Sequence, residues 1–164
     1  MFDRKLKILA HRLSKSLAGD VIVQKTVQQI REQLQVDRVV LYYFYRKWKG
    51  QVTFESLSSP SLSILGSTGA DDCFNDEYAR LYLEGRYRSI EDIKTAKIHA
   101  CHRAFLESIQ VRANLVVPIL KNQDLWGLLV AHHCQSPRPW QSKEVEAMQS
   151  AAKQLETAAA IRNV

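Results

Sequence analysis

The strongest constraint in this sequence is a pair of apolar runs, Ala113 to Leu120 and Leu125 to His133, separated by a Lys-Asn-Gln-Asp turn. Short Val- and Leu-rich runs bounded by turn residues read as buried strands, and so brief a connection joins two strands antiparallel. A second pair reads the same way. Arg38 to Phe44 carries a Val-Val-Leu-Tyr-Tyr core, Val52 to Leu57 alternates, and Gly50 marks the turn between them. Helical spacing appears at both ends. Leu6, Leu9, Leu13 and Leu17 share one face until Gly19-Asp20 interrupts, and Val23, Val27, Ile30 and Leu34 share the next. A last helix begins near Ser142, whose hydroxyl is placed to cap it, with Val145, Met148, Ala152, Leu155 and Ala159 on its apolar side. This order implies an α/β arrangement of the α+β kind, an antiparallel sheet covered on one side by the terminal helices.

The middle of the chain is irregular. Ser58 to Ala70 is a Ser- and Gly-rich loop containing Pro60. Asn75 to Leu83 is a short helix ended by Gly85, and Arg103 to Ile109 is another. Irregular segments carried on a rigid sheet are where a ligand pocket is expected. At 164 residues the chain fits one domain. Residues 1–35 form the N-terminal helices, 36–140 the sheet and pocket, and 141–164 the C-terminal helix.

No apolar run reaches the roughly 18–20 residues of a membrane span, and no signal-peptide core follows a basic start, so the expected location is cytoplasmic without membrane contact. The net charge of +6 raises nucleic acid as a partner. The basic residues are scattered, however, with Arg4, Lys5 and Lys7 at the start and Arg46, Lys47 and Lys49 near a turn. They read as a solvated surface, and no nucleic acid is expected. Cys73, Cys101 and Cys134 form no CxxC pair, which argues against a disulfide framework or structural zinc and leaves thiols either inert or reactive.

Several residues carry chemistry. Cys101-His102 places a thiol beside an imidazole, although adjacent side chains usually diverge. Asp71-Asp72-Cys73-Phe74 places a carboxylate two residues before a thiol in a loop. Of His132 and His133, consecutive in a strand, one can face the core side. Arg86 and Arg112 suit ligand carboxylates, or equally surface ion pairs.

Together these segments resemble the bilin-binding GAF domains of cyanobacteriochromes, relatives of phytochromes. Asp92-Ile93, a spacer and Cys101-His102 look like that family's pigment-attachment segment. Val111-Arg-Ala-Asn-Leu-Val-Val-Pro118 and Leu125-Trp-Gly-Leu-Leu-Val-Ala-His132 look like its core strands, and Pro137-Arg-Pro-Trp140 like the entry to its last helix. Asp71-Xaa-Cys73-Phe74 is similar to the motif of the two-cysteine subgroup. The resemblance implies a GAF fold whose sheet has the helices on one face and a bilin pocket on the other. It further implies a photoreceptor, not an enzyme, holding phycocyanobilin or its isomer phycoviolobilin covalently at Cys101. A second, reversible thioether from Cys73 would toggle a blue/violet-absorbing and a green-to-orange-absorbing state as a double bond isomerises. By the same resemblance Asp71 contacts the pyrrole nitrogens, His102 packs on the rings, and His132 reaches the ring D side. Arg86 binds the propionates, Arg112 is expected near them as well, and Phe74 flanks the pocket. Leu57-Ser-Ser-Pro60 departs from the Gly-Trp-Pro-like turn common in relatives, and Cys134 has no counterpart role. An output signalling domain in a longer parent, and a homodimer through the terminal helices, are the expected partners. The rival readings are a non-photosensory GAF ligand-binding module, a GAF-fold thiol redox enzyme, and a degenerate domain serving dimerisation alone.

Overall fold

The computed structural model describes residues 2–68 and 76–164. Helix α1 (Phe2–Gly19) and helix α2 (Val21–Leu34) are separated by one residue, Asp20. Its Oδ1 accepts from the Ile22 and Val23 N–H groups (2.9 and 3.3 Å), satisfying donors that the start of α2 leaves free. Its Oδ2 accepts from the Ala160 N–H (3.1 Å) in the short helix α6 (Ala159–Arg162), so one carboxylate ties both ends of the chain together. On α1, Leu13 and Leu17 are buried as the spacing implies. Leu9 is instead exposed beside Ile8, and Ala10 takes the inward position.

Five strands form the sheet: β1 (Arg38–Arg46), β2 (Lys49–Leu57), β3 (Arg88–Ile90), β4 (Ala113–Lys121) and β5 (Asp124–His133). They lie in the order β2-β1-β5-β4-β3, and every neighbouring pair is antiparallel. The β1–β2 turn falls at residues 47–48 and not at Gly50, which sits inside β2. There a Cβ would lie 2.1 Å from the Tyr43 carbonyl oxygen, so close backbone approach explains the glycine. Strand β3 has no alternating run to announce it.

Of the three register breaks in the sheet, two bear on which side chains face the helices. Leu41 pairs with Phe54 while Tyr42 pairs with Val52, leaving Thr53 as the extra residue. Ile119 pairs with Gly127 while Leu120 pairs with Leu125, leaving Trp126 extra. A bulge of this kind shifts the side-chain alternation by one. Trp126 accordingly joins the core under the helices, while its neighbour Leu125 turns to the opposite face.

The helical face is closed by α1, α2, α6 and helix α5 (Ser142–Leu155). Val23, Val27, Ile30 and Leu34 of α2 and Val145, Met148, Ala152 and Leu155 of α5 pack on Val39, Leu41, Leu115, Val117, Leu129 and Ala131. Residue Gln141, not Ser142, bounds α5, because Glu144 reaches back to accept from the Gln141 N–H (2.9 Å). The helix also ends at Leu155. After Ala158 the phase resets, so Ala158, Ala160 and Ile161 are buried and Ala159 faces out. Among the described residues no helix is long and apolar enough to cross a membrane.

Candidate functional site

The other face of the same strands is the floor of a cleft. Val40 and Tyr42 of β1, Val116 of β4 and Leu128 and Val130 of β5 point into it. Its roof comes from helix α3 (Asp76–Leu83), through Tyr78 and Tyr82, and helix α4 (Ala100–Ser108), through His102 and Phe105. The cleft is open at its mouth and its lining is mostly apolar.

Helix α4 begins at Ala100, three residues earlier than the sequence spacing implies, which carries Cys101 and His102 into its first turn. The reason is His99, whose Nδ1 accepts from the Cys101 N–H (3.3 Å) and so caps the helix. Arg103 straps the helix down by donating to the carbonyls of Ile93 and Ala96. The two neighbours then diverge, as neighbours on a helix must. Cys101 is exposed, and His102 turns inward to line the cleft. Burial pushes the His102 pKa down to about 4, with the Arg88 charge adding to the shift, so this imidazole is neutral at neutral pH.

Three buried polar residues stand in a row across the floor. Arg38 pairs in register with His132, and His132 with Asn114, spanning β1, β5 and β4. They are 1%, 3% and 3% exposed. Arg38 Nε donates to His132 Nδ1 (3.0 Å), and its two terminal nitrogens donate to the carbonyls of Leu62 and Ile109 (2.7 Å each). Burial lowers the Arg38 pKa, against the opposing influence of Cys134, Glu55 and Asp37. Burial, then the Arg38 charge, holds His132 well below the ordinary histidine range. Asn114 Oδ1 is buried without a hydrogen-bond partner. Of the two consecutive histidines it is His132 that faces the cleft. His133 lies near Asp37 (Nδ1 to Oδ2, 3.8 Å) and Ser136 (Nε2 to Oγ, 3.3 Å).

The arginines are distributed differently from the sequence expectation. Arg112 is engaged by Asp92 through two contacts, Nε to Oδ1 (2.8 Å) and Nη2 to Oδ2 (3.1 Å), and does not line the cleft. Those bonds, with the Lys94 N–H, lower the Asp92 pKa to about 2 and raise that of Arg112. Arg86 is exposed just after Gly85, whose positive φ of 85° lets α3 end with the Arg86 N–H donating back to Leu81. Arg88, two residues on, lines the cleft and lies over the Tyr78 ring (5.3 Å). Asp71, Cys73 and Phe74 lie outside the described residues. Cys134 follows β5 half-buried as a free thiol, its pKa raised by burial, and its N–H donates to Asp37 Oδ2 (2.7 Å). Among the described residues no group of His, Cys, Asp and Glu could hold a metal ion.

Arg38, Arg88 and Asn114 were not singled out by sequence reasoning. Two of them carried a signal: Arg38 opens, and Asn114 sits inside, a strand that is otherwise apolar. Polar side chains survive in such positions when something specific satisfies them.

The GAF domain model matches residues 19–159. An uncharacterised protein of Picosynechococcus is 53% identical over 94% of this chain and 95% of its own length. The circadian input-output histidine kinase CikA of Synechocystis is 33% identical over 81% of this chain, but the match spans only 21% of the kinase. Among solved structures, the blue-light absorbing form of the Thermosynechococcus elongatus PixJ GAF domain superposes with a TM-score of 0.75. It is 34% identical and the match covers 87% of this chain and 85% of that one. The phycocyanobilin-bound GAF domain from a cyanobacterial phytochrome gives a TM-score of 0.72 at 29% identity, covering 90% and 91%.

Proposed function

Starting from the chain's membership of the GAF domain family, we propose that it is a photosensory module that holds a linear tetrapyrrole covalently at Cys101 and switches between a blue/violet-absorbing and a green-to-orange-absorbing state. The observation that carries this reading is the cleft. It has an apolar floor, buried polar groups at His132 and Asn114, a guanidinium at Arg88, and Cys101 on the helix that forms part of its roof. A tetrapyrrole needs each of these. Its rings are flat and apolar, its ends carry amide groups, and its propionates are anionic. The solved neighbours support the reading from outside, one named for its blue-light absorbing form and one bound to phycocyanobilin.

The bound pigment supplies the photoisomerisation, and the chain supplies attachment, shape and field. Cys101, disulfide-bonded in the structure, stands in the first turn of α4, and its reduced thiolate is the form that would add to a pigment double bond. His102 is neutral and half-buried, so it packs against rings without adding charge. His132 addresses the far end of the pigment from the sheet. Arg88 in the cleft and Arg86 just before it are the guanidinium groups for the propionates. Arg112, committed to Asp92, holds the segment preceding α4 in place. Asp71 stabilises the protonated pyrroles, Phe74 flanks the rings, and Cys73 supplies the second, reversible thioether that shortens conjugation in the blue/violet state.

The domain reports to an output module in a longer protein, as CikA carries a domain like this one within a much longer chain. A second copy packs on the terminal helices, where Ile8 and Leu9 stand exposed. The test is a pair of variants made with a phycocyanobilin supply. Cys101→Ala is expected to lose pigment that survives denaturation. Cys73→Ala is expected to keep it and lose the short-wavelength band. Persistence of that band in Cys73→Ala would overturn the two-cysteine assignment.

A further inference from the structure

The row Arg38–His132–Asn114 contains a chemical constraint that goes beyond the fold. A guanidinium has only N–H donors and no acceptor. Arg38 Nε lies 3.0 Å from His132 Nδ1, so Nδ1 must be the lone-pair nitrogen. The proton of a neutral imidazole is then on Nε2. No described residue accepts it, and the ring lines the cleft. Arg38 is held in the orientation that achieves this, because its other nitrogens are occupied by the Leu62 and Ile109 carbonyls. Those carbonyls belong to the segment after β2 and the end of α4, so one side chain fastens three parts of the cleft wall around one histidine.

Asn114 completes the arrangement. It is the antiparallel partner of His132 on the adjacent strand, and directly opposed side chains have Cβ atoms about 4.5–5.5 Å apart. It is almost wholly buried, and its amide oxygen has no partner. Of the buried polar atoms without a partner among the described residues, the Asn114 oxygen is the one whose residue lines the cleft, where a ligand group can satisfy it. The cleft wall thus offers an obligatory donor beside an unpaired amide.

We propose that Arg38 is a positioning residue that fixes His132 as an Nε2–H donor towards the ligand, and that Asn114 beside it accepts the ring N–H of a lactam edge of that ligand. The identity of the ligand rests on the photosensory reading above; the Arg38–His132 bond does not. A guanidinium at this position excludes a ligand that presents a donor to His132, since the ring has no acceptor nitrogen left. It also explains why a cation can be buried beneath an apolar cleft without touching the ligand itself.

The first half is tested on the pigment-free chain by nitrogen NMR of ¹⁵N-labelled protein, with His132→Gln used to assign the ring signals. The expected result is a through-hydrogen-bond correlation between Arg38 Nε and His132 Nδ1, with the imidazole proton on Nε2. Absence of that correlation, or a proton on Nδ1, would overturn the assignment of Arg38. The wild-type chain decides this even if Arg38→Met fails to fold. Where the variant does fold, Arg38→Met should release the ring to both tautomers, and Arg38→Lys, which keeps a donor, should restore one. The second half is read in the phycocyanobilin-loaded chain by vibrational spectroscopy of the pigment carbonyl and N–H groups. Asn114→Leu is expected to shift the N–H band and His132→Gln the carbonyl band. Bands unmoved in a chain that does carry pigment would overturn the lactam reading. A chain that takes up no pigment would instead refute the photosensory reading and leave the NMR result standing.

Discussion

The two faces of the sheet are built from alternate residues of the same strands, yet they do opposite work. On β5, Leu129 and Ala131 are wholly buried under α2 and α5, in a core of apolar side chains. Their neighbours Leu128, Val130 and His132 face the cleft, among tyrosines, an arginine and histidines. Each face holds a buried polar atom without a partner, the Trp126 indole N–H in the core under the helices and the Asn114 amide oxygen on the other side, but of the two only Asn114 borders the cleft. The difference predicts that stability and colour should separate cleanly along a single strand.

The largest expected effect is on the helical face. Leu129→Ala removes a fully buried side chain and should cost about 2–5 kcal/mol, measured by urea denaturation, with little change in the spectrum of the folded, pigmented fraction. The adjacent Val130→Ala should cost less, about 1–2 kcal/mol, because the cleft already borders the site. It should move the absorption bands more. The comparison breaks if Leu129→Ala shifts the colour and Val130→Ala does not.

Acid sharpens the same contrast. His102 has a folded pKa of about 4, below the ordinary value of 6.5, so the unfolded chain binds more protons between those limits. Stability is therefore full above about pH 6.5 and falls as the pH drops towards 4, and His132 acts in the same direction. His102→Gln should flatten this slope in thermal melts recorded across that window, and an unchanged slope would reject the assignment. The smallest effect belongs to the partly exposed Arg112–Asp92 pair. Arg112→Gln should leave the denaturation midpoint within error of wild type, because solvent screens such pairs.

The helical face was the legible half of the molecule. Val23, Val27, Ile30 and Leu34 announce themselves by spacing, and the paired runs around Lys-Asn-Gln-Asp fix β4 and β5. What the spacing missed depends on local chemistry. The start of α4 is set by the His99 cap, the phase of the last helix by a break after Leu155, and on α1 it is Ala10 that packs inward while Leu9 stays exposed. The cleft was legible only as a location. Cys101, His102 and His132 could be named from their motifs, while Arg38 and Asn114 pass unnoticed in apolar strands, because their meaning lies in cross-strand register. Arg88 likewise reaches the cleft through β3, a strand too short for its alternation to be seen.

The most direct test of the account is the absorption spectrum of this chain, purified from cells supplied with phycocyanobilin and recorded under alternating blue and green light. The account predicts a blue or violet band that converts reversibly to a green-to-orange one, with the pigment retained after denaturation. A colourless chain from cells shown to contain the pigment would contradict it.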